Sequence, residues 1–487
     1  MTQNVIGSTW SETFHYYLNY CKESRKLVLL IVAIGLLLDN MLLTAVVPII
    51  PTFLYELHHK NDPFLAQSSN SSKLFNVNDV HSYKVDSSMM SSEELEQRHR
   101  ELVSENAEVG IMFASKPIVQ AITNLFVGPL TNKIGYSWPL FFGLILLFLS
   151  TMIFAIGTSY ITLFFARSMQ GVGSAFTSVA GMGMLAEKFP DDRERGNCMA
   201  IALGGLALGV LIGPPFGGVM YEFIGQSSPF ITLAMLALLD GCLQLLVLQP
   251  EVVKEQQPGA TLSTLIQDPY ILLAAGSITF ANAGIAMLEP SLPLWMMDTM
   301  NSSNWEQGAA FLPASISYLI GTNIFGPLGH KIGRWLSSLL GLVMIGLALV
   351  SIPMATSVSG LIIPNGMIGF AIGMVDSSMM PMLGYLVDIR HSSVYGSVYA
   401  IGDVALCIGY IIGPALAGTL VTWFGFGGLC MTTAFVCFAF APCMLALRNP
   451  PTKEEVESRA HCNTIKYGSY TNTSTPEMEN KPFIRIP

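Results

Sequence analysis

Seven ionisable residues stand inside long apolar stretches of this sequence: Asp39, Lys116, Arg167, Asp240, Glu289, Asp376 and Asp403. A charge at the centre of a bilayer costs at least about 2.5–3.5 kcal/mol on insertion scales, so packing alone does not account for so many. Five are acids and two are bases, and mutual pairing therefore leaves carboxylates over. Such a carboxyl must be protonated, hydrated or waiting for a cation. Near a second carboxylate in a low-dielectric cavity, its charge becomes sensitive to its surroundings. Reversible proton binding coupled to capture of a cation is the chemistry these residues can support.

Their spacing sharpens this. Lys116, Gln120 and Asn124 follow at i, i+4 and i+8, which gives one polar stripe on a helix. Asp39 and Asn40 fall mid-way along the first apolar run. Asn282 precedes Glu289 by two turns on about the same face, Tyr410 follows Asp403 by two turns, and Tyr318 lies in a neighbouring run. Carboxylates beside aromatic faces suit an ammonium group. Asp240, near the end of its run, reads as a structural hydrogen-bonding residue.

These residues need apolar helices to position them, and the composition supplies them. The 487 residues are 51% hydrophobic and only 12% charged, against about 25% charged in soluble domains; mean hydropathy is +0.52. That excludes a disordered or fibrous chain and argues against a water-soluble enzyme. The first apolar run, Leu27 to about Pro48, is too long and lacks the cleavage site of a signal peptide. Further runs at 108–130, 138–158, 162–184, 197–220, 228–248, 270–290, 307–328, 335–353, 358–382, 393–420 and 426–447 predict twelve membrane-spanning helices in an all-α membrane protein.

Charge in the short loops predicts orientation. Lys133, Lys188, Arg193, Arg195, Lys254, Lys331, Arg334 and Arg390 alternate with loops that lack Lys and Arg, so both termini are expected in the cytosol. The expected organisation is a cytosolic N-terminus (1–26), a six-helix bundle (27–248) with a patternless polar luminal loop (52–107), a cytosolic linker (249–269), a second six-helix bundle (270–447) and a disordered cytosolic tail (448–487). Asn70 and Asn301 are glycosylation acceptors on the luminal side, whereas Asn472 falls in the cytosolic tail. A net charge of −9 does not suggest a nucleic-acid partner. Eight scattered cysteines and the absence of hydrolase, metalloprotease or phosphate-loop motifs predict no disulfide framework, no metal site, no cofactor and no enzyme.

The halves echo each other. NLFVGPLTNKIG from Asn124 matches NIFGPLGHKIG from Asn323, with Gly128 and Gly326 198 residues apart, and GPPFGG from Gly213 is echoed 200 residues later by GPALAG from Gly413. Two bundles that rock about a central site have this signature. Gly204, Gly205, Gly209 and Gly213 form a small face that permits close helix contact.

LLLDNML (36–42), FASK (113–116), ARSMQG (166–171), FANAGIAMLEP (280–290), GMVDSSMMP (373–381) and DIRHSSVYGSVYAIGDVA (388–405) make the chain resemble the vesicular amine transporters of the major facilitator superfamily. SISYLIG at 315–321 is similar to the monoamine branch. The resemblance covers about residues 24–450. It implies a proton-coupled antiporter that loads serotonin, dopamine, noradrenaline, histamine or related amines into acidic secretory or synaptic vesicles. It implies amine contacts at Asp39, Asn40, Arg167, Asn282, Glu289, Tyr318 and Tyr410. It implies coupling through Lys116, Gln120, Asn124, Asp376, His391 and Asp403, with Asp403 facing Lys116. Reserpine-like and tetrabenazine-like inhibitors, vesicle lipids and a monomeric state are implied as well. The luminal cysteines of vertebrate members are missing, with Asn301 in the place of one, so no luminal disulfide is expected. VESRA replaces the usual paired-aliphatic sorting signal, and Leu406 a family aromatic.

Overall fold

The structure, a computed structural model, describes residues 24–46, 92–225, 227–247, 261–300, 302, 304–391, 395–452 and 454–455. Among the described residues there are helices and turns and no strand. The long helices are α1 (Arg25–Ala45), α2 (Ser92–Ile134), α3 (Ser137–Ile156), α4 (Tyr160–Lys188), α5 (Asp192–Phe223) and α6 (Ser228–Val247), then α7 (Pro269–Met300), α8 (Leu312–Ile332), α9 (Arg334–Ser351), α10 (Ile362–Arg390) and α11 (Gly396–Phe440). Gly425, with φ 70° and ψ 175°, breaks α11 close to where the apolar stretch Gly396–Val421 gives way to Trp423–Arg448.

Among the described residues ten segments are long and apolar enough to cross a membrane. The run expected at 162–184 is helical as α4, and that at 307–328 as α8 from Leu312 onward, but both fall short on apolarity. Arg167, Gln170, Ser174 and Ser178 dilute α4, and Ser315, Ser317, Thr322 and Asn323 dilute α8. The polar segment ahead of the second span is helical from Ser92 and runs on into the apolar stretch Ile111–Ile134, close to the run expected from 108. Its sequence SEELEQRHRELVSENAE is rich in Glu, Leu, Gln and Arg, strong helix formers whatever their polarity. Asn70 and Asn301 lie outside the described residues.

Local chemistry starts the helices. Ser24 caps α1 and Ser159 caps α4, while the Asp191 carboxylate accepts from Glu194 N at 2.9 Å to open α5. The repeated K-I-G sequences end α2 and α8 alike: Gly135 has φ 79° and Gly333 φ 98°, a region open to glycine at little cost, so each chain turns directly into α3 or α9.

The packing repeats as well. α1 lies along α5, α2 along α4, and α3 along α4; six helices later, α7 lies along α11, α8 along α10, and α9 along α10. The glycines of the second repeat sit at equivalent crossings. A Cβ on Gly213 would strike Thr44 of α1, and one on Gly413 would lie 2.6 Å from the Ala286 Cβ of α7. The halves meet along two seams, α2 with α11 and α5 with α8. Polarity is inverted relative to a soluble protein. Phe126 and Ile161 are 70% and 78% exposed, while Arg167 and Asn124 are wholly buried. Such an apolar exterior matches a bilayer.

Candidate functional site

Three polar clusters occupy the interior. The first lies within the N-terminal half. Lys116 Nζ of α2 donates to Asp39 Oδ1 of α1 at 2.9 Å and reaches the Asp39 carbonyl at 3.5 Å. Ser174 of α4 donates to the same carboxylate. Both members of the ion pair are buried. Nearby, Arg167 clasps α1 from α4: its guanidinium donates to the carbonyls of Leu42 at 3.3 Å and Leu43 at 3.1 Å and to Gln170 Oε1 at 2.9 Å. It lies 5.8 Å from the ring centre of Phe113. Asn40 spends its amide on the Leu36 carbonyl of its own helix, at 2.9 Å.

The second cluster spans a seam. Asp403 of α11 receives Gln120 Nε2 at 2.8 Å and Asn124 Nδ2 at 2.6 Å on one oxygen, and Ser178 Oγ at 2.7 Å on the other. All three donors are neutral and all come from α2 or α4. The expectation that Asp403 faces Lys116 is therefore corrected. Lys116 is one turn from Gln120 on the same stripe, but its ammonium turns to the nearer carboxylate of α1.

The third cluster belongs to the C-terminal half. Asp376 of α10 accepts from Asn282 Nδ2 of α7 at 3.1 Å and from the Tyr318 hydroxyl of α8 at 3.1 Å. Tyr410 of α11 lies within electrostatic range of both Asp376 and Glu289. Glu289 itself is exposed, and among the described residues no hydrogen bond or ion pair engages its carboxylate. Of the five intramembrane acids, Asp39 alone has a cationic partner among the described residues. Asp240 is buried, and among the described residues neither of its oxygens is hydrogen-bonded, so no partner there meets the structural hydrogen-bonding role expected of it.

His391 does not join these clusters. It ends α10, roughly 20 Å along the axis from Asp376 at 1.5 Å per residue. There its Nε2 lies 2.9 Å from Asp268 Oδ2, which also accepts from Arg390 Nε at 2.7 Å. Burial pushes the Asp268 carboxyl up, and hydrogen bonds from Arg390, His391 and the Tyr270 N–H outweigh it, holding Asp268 below its ordinary value.

At the same end, ion pairs tie the halves together. Arg195 of α5 pairs with Asp388 of α10 at 2.8 Å, and Arg334 of α9 reaches back to Asp192 of α5 at 2.9 Å. The Tyr136 hydroxyl accepts from the backbone N–H of Tyr395 and of Gly396, both at 3.1 Å. Sequence reasoning used Arg195 and Arg334 only for orientation, and missed Ser174 and Ser178. The spacing Gln170, Ser174, Ser178 at i, i+4, i+8 was the available signal, a polar stripe on α4 to match the one on α2.

The arrangement separates a carboxylate already neutralised by lysine, a carboxylate held by neutral donors across the seam, and an accessible carboxylate within electrostatic range of Tyr410. Residues 32–405 match the family model of the Major Facilitator Superfamily. The human synaptic vesicular amine transporter is 53% identical over 90% of this chain and 91% of its own length, and the human chromaffin granule amine transporter 51% over 89% and 90%. The crystal structure of the human organic anion transporter TETRAN superposes with a TM-score of 0.68 at 15% identity, covering 86% of this chain and 99% of that one, a likeness of fold. A transporter and not an enzyme, this chain belongs to the vesicular amine transporters of the major facilitator superfamily.

Proposed function

We propose that the protein is a proton-coupled antiporter that loads cytosolic monoamines into acidic vesicles. The observation that carries this reading is the grip on Asp403: a carboxylate from one half, with no cationic partner among the described residues, is held by Gln120, Asn124 and Ser178 of the other. Neutral donors stabilise the charged form. Protonation removes acceptor capacity and weakens the contact between halves. A proton arriving there biases which side is open, as alternating access requires.

Glu289 has the complementary role. An accessible carboxylate without a resident partner, near Tyr410, can receive the ammonium of a monoamine, a charge-assisted contact worth about 1.5–3 kcal/mol. Asn282, Tyr318 and Asp376 form the adjoining wall; Arg167 braces α1 at the level of Asp39 and Asn40. His391 acts from the cytosolic end through Asp268. Loops rich in Lys and Arg support cytosolic termini, and the Arg195–Asp388 and Arg334–Asp192 pairs then close the cytosolic side. The names of the relatives support residence in amine-storing vesicles. Serotonin, dopamine, noradrenaline and histamine are the substrates to test first, with reserpine-like and tetrabenazine-like compounds as inhibitors.

Uptake of labelled amines into acidified proteoliposomes tests the proposal. Accumulation should collapse when a protonophore dissipates the gradient. Accumulation that persists without a proton gradient or potential overturns it.

A further inference from the structure

Asp240 has no part in the three clusters. It lies on the buried face of α6, in line with Leu233, Ala237 and Gln244. A Cβ on Gly35 of α1 would lie 3.4 Å from Asp240 Oδ2 and 3.8 Å from Leu144 Cδ2 of α3, so the carboxyl is wedged between two apolar helices.

No cation compensates it. The helices packed on α6 are α3, α1 and α5. α3 carries no ionisable side chain, and Asp240 is the single charged residue of α6. On α1, Asp39 is spent on Lys116, and Arg25 and Lys26 are exposed at the helix start, more than two turns from Gly35. The charged residues of α5 stand at its two ends, Asp192 to Arg195 and Glu222, and Arg195 is held by Asp192 and Asp388.

Three enclosed oxygens on this face of α6 lack a hydrogen-bond partner among the described residues: both of Asp240, and Oε1 of Gln244 one turn on. The Gln244 Nε2 is committed elsewhere, donating to the Ser137 carbonyl of α3 at 3.3 Å. All three oxygens are acceptors, so they cannot satisfy one another. Enclosed this tightly, they admit neither water nor a metal ion. An ionised carboxyl in such a place takes up a proton instead of bearing the lost hydration. One proton removes the conflict. It neutralises Asp240 and turns one acceptor into an O–H donor, with Gln244 in the i, i+4 position where such side chains meet.

We propose that Asp240 is a fixed proton-binding site: a carboxyl that stays neutral at neutral pH, whose O–H donates to Gln244 Oε1 and extends a chain to the Ser137 carbonyl that ties α6 to α3. Because α1, α3 and α6 belong to one half, the site stays shut when the halves rock, and its proton is distinct from any that Asp403 exchanges. The proposal rests on packing within that half and not on the antiport reading.

Infrared spectra of the full-length protein in lipid, isotopically labelled at the aspartate side-chain carboxyl, test it. Wild type minus Asp240→Asn should show the carbonyl stretch of a protonated aspartic acid. The band should be unchanged from about pH 6 to about pH 8, where a carboxyl of ordinary value, about 3.9, is ionised. Gln244→Leu should move the band to higher frequency, because the O–H loses its acceptor, and that shift identifies the band if Asp240→Asn does not fold. A carboxylate band in its place, a band that titrates away between those pH values, or one that stays put in folded Gln244→Leu each overturns the proposal.

Discussion

Lys116 and Asp39 form a buried ion pair 2.9 Å long between α2 and α1, and that pairing leaves Asp403 to the amides and hydroxyl of the opposite half. One positive charge is thus spent inside the N-terminal half. The carboxylate that crosses the seam has no lysine partner among the described residues, and on the antiport proposal it is the one that takes the proton.

The pair has a measurable signature. Removing one partner of a buried ion pair strands the other and costs about 3–5 kcal/mol, whereas removing both does not. Lys116→Gln and Asp39→Asn should each lower the apparent melting temperature of the detergent-purified protein clearly, and the double variant should recover most of the loss. A double variant that shows the sum of the single losses would separate the two residues energetically.

Glu289 and Asp403 should fail in different ways. Glu289→Gln is expected to weaken amine binding about tenfold or more at equilibrium, with or without a gradient. Asp403→Asn should largely spare binding and abolish gradient-driven accumulation. Isotherms and uptake on both reconstituted variants decide the matter; normal binding in Glu289→Gln together with lost binding in Asp403→Asn reverses the roles.

Acid should weaken the Asp268 cluster selectively. Its carboxyl is held below the ordinary value in the folded protein, so the folded state binds fewer protons than the unfolded one as the pH falls. The stabilisation is complete above the unfolded carboxylate value of about 3.9 and is lost as pH drops through the lower folded value. Asp268→Asn should therefore melt below wild type at neutral pH, with the gap closing only in strong acid. Thermal melts across a pH series measure it, and a gap independent of pH would point to lost packing instead.

The α1–α5 crossing should tolerate no side chain at its centre. A Cβ on Gly209 would collide with the backbone carbonyl of Leu37, and one on Gly205 with that of Ala33, neither of which is the free end of a flexible side chain. Gly209→Val is expected to cost about 1–3 kcal/mol or to abolish folding. Gly218→Ala, which meets nothing within 4 Å, should leave yield and melting temperature unchanged. Size-exclusion profiles and melts of the two variants make the comparison.

Hydropathy and periodicity alone determined a great deal: a helical membrane protein, the approximate run of its helices, its internal repeat, and the acids set among its apolar runs. Those properties are local. A helix period tells which face a residue occupies, so the stripe Lys116, Gln120, Asn124 was legible from spacing. The helix extension from Ser92 was missed because polarity masked its helix propensity. What faces each residue is not local. Asp39 lies 77 positions from Lys116, and Asp403 lies 283 from Gln120. Their partners depend on how closely helices cross, and that is set by glycines such as Gly209 pressed against the backbone of another helix. Only the tertiary structure therefore gave Lys116 to Asp39, enlisted Ser174 and Ser178, placed His391 on Asp268, and tied the halves through Arg195 and Arg334. Ion pairs in a low-dielectric interior go to the nearest opposite charge, and distance is a property of the packed helices.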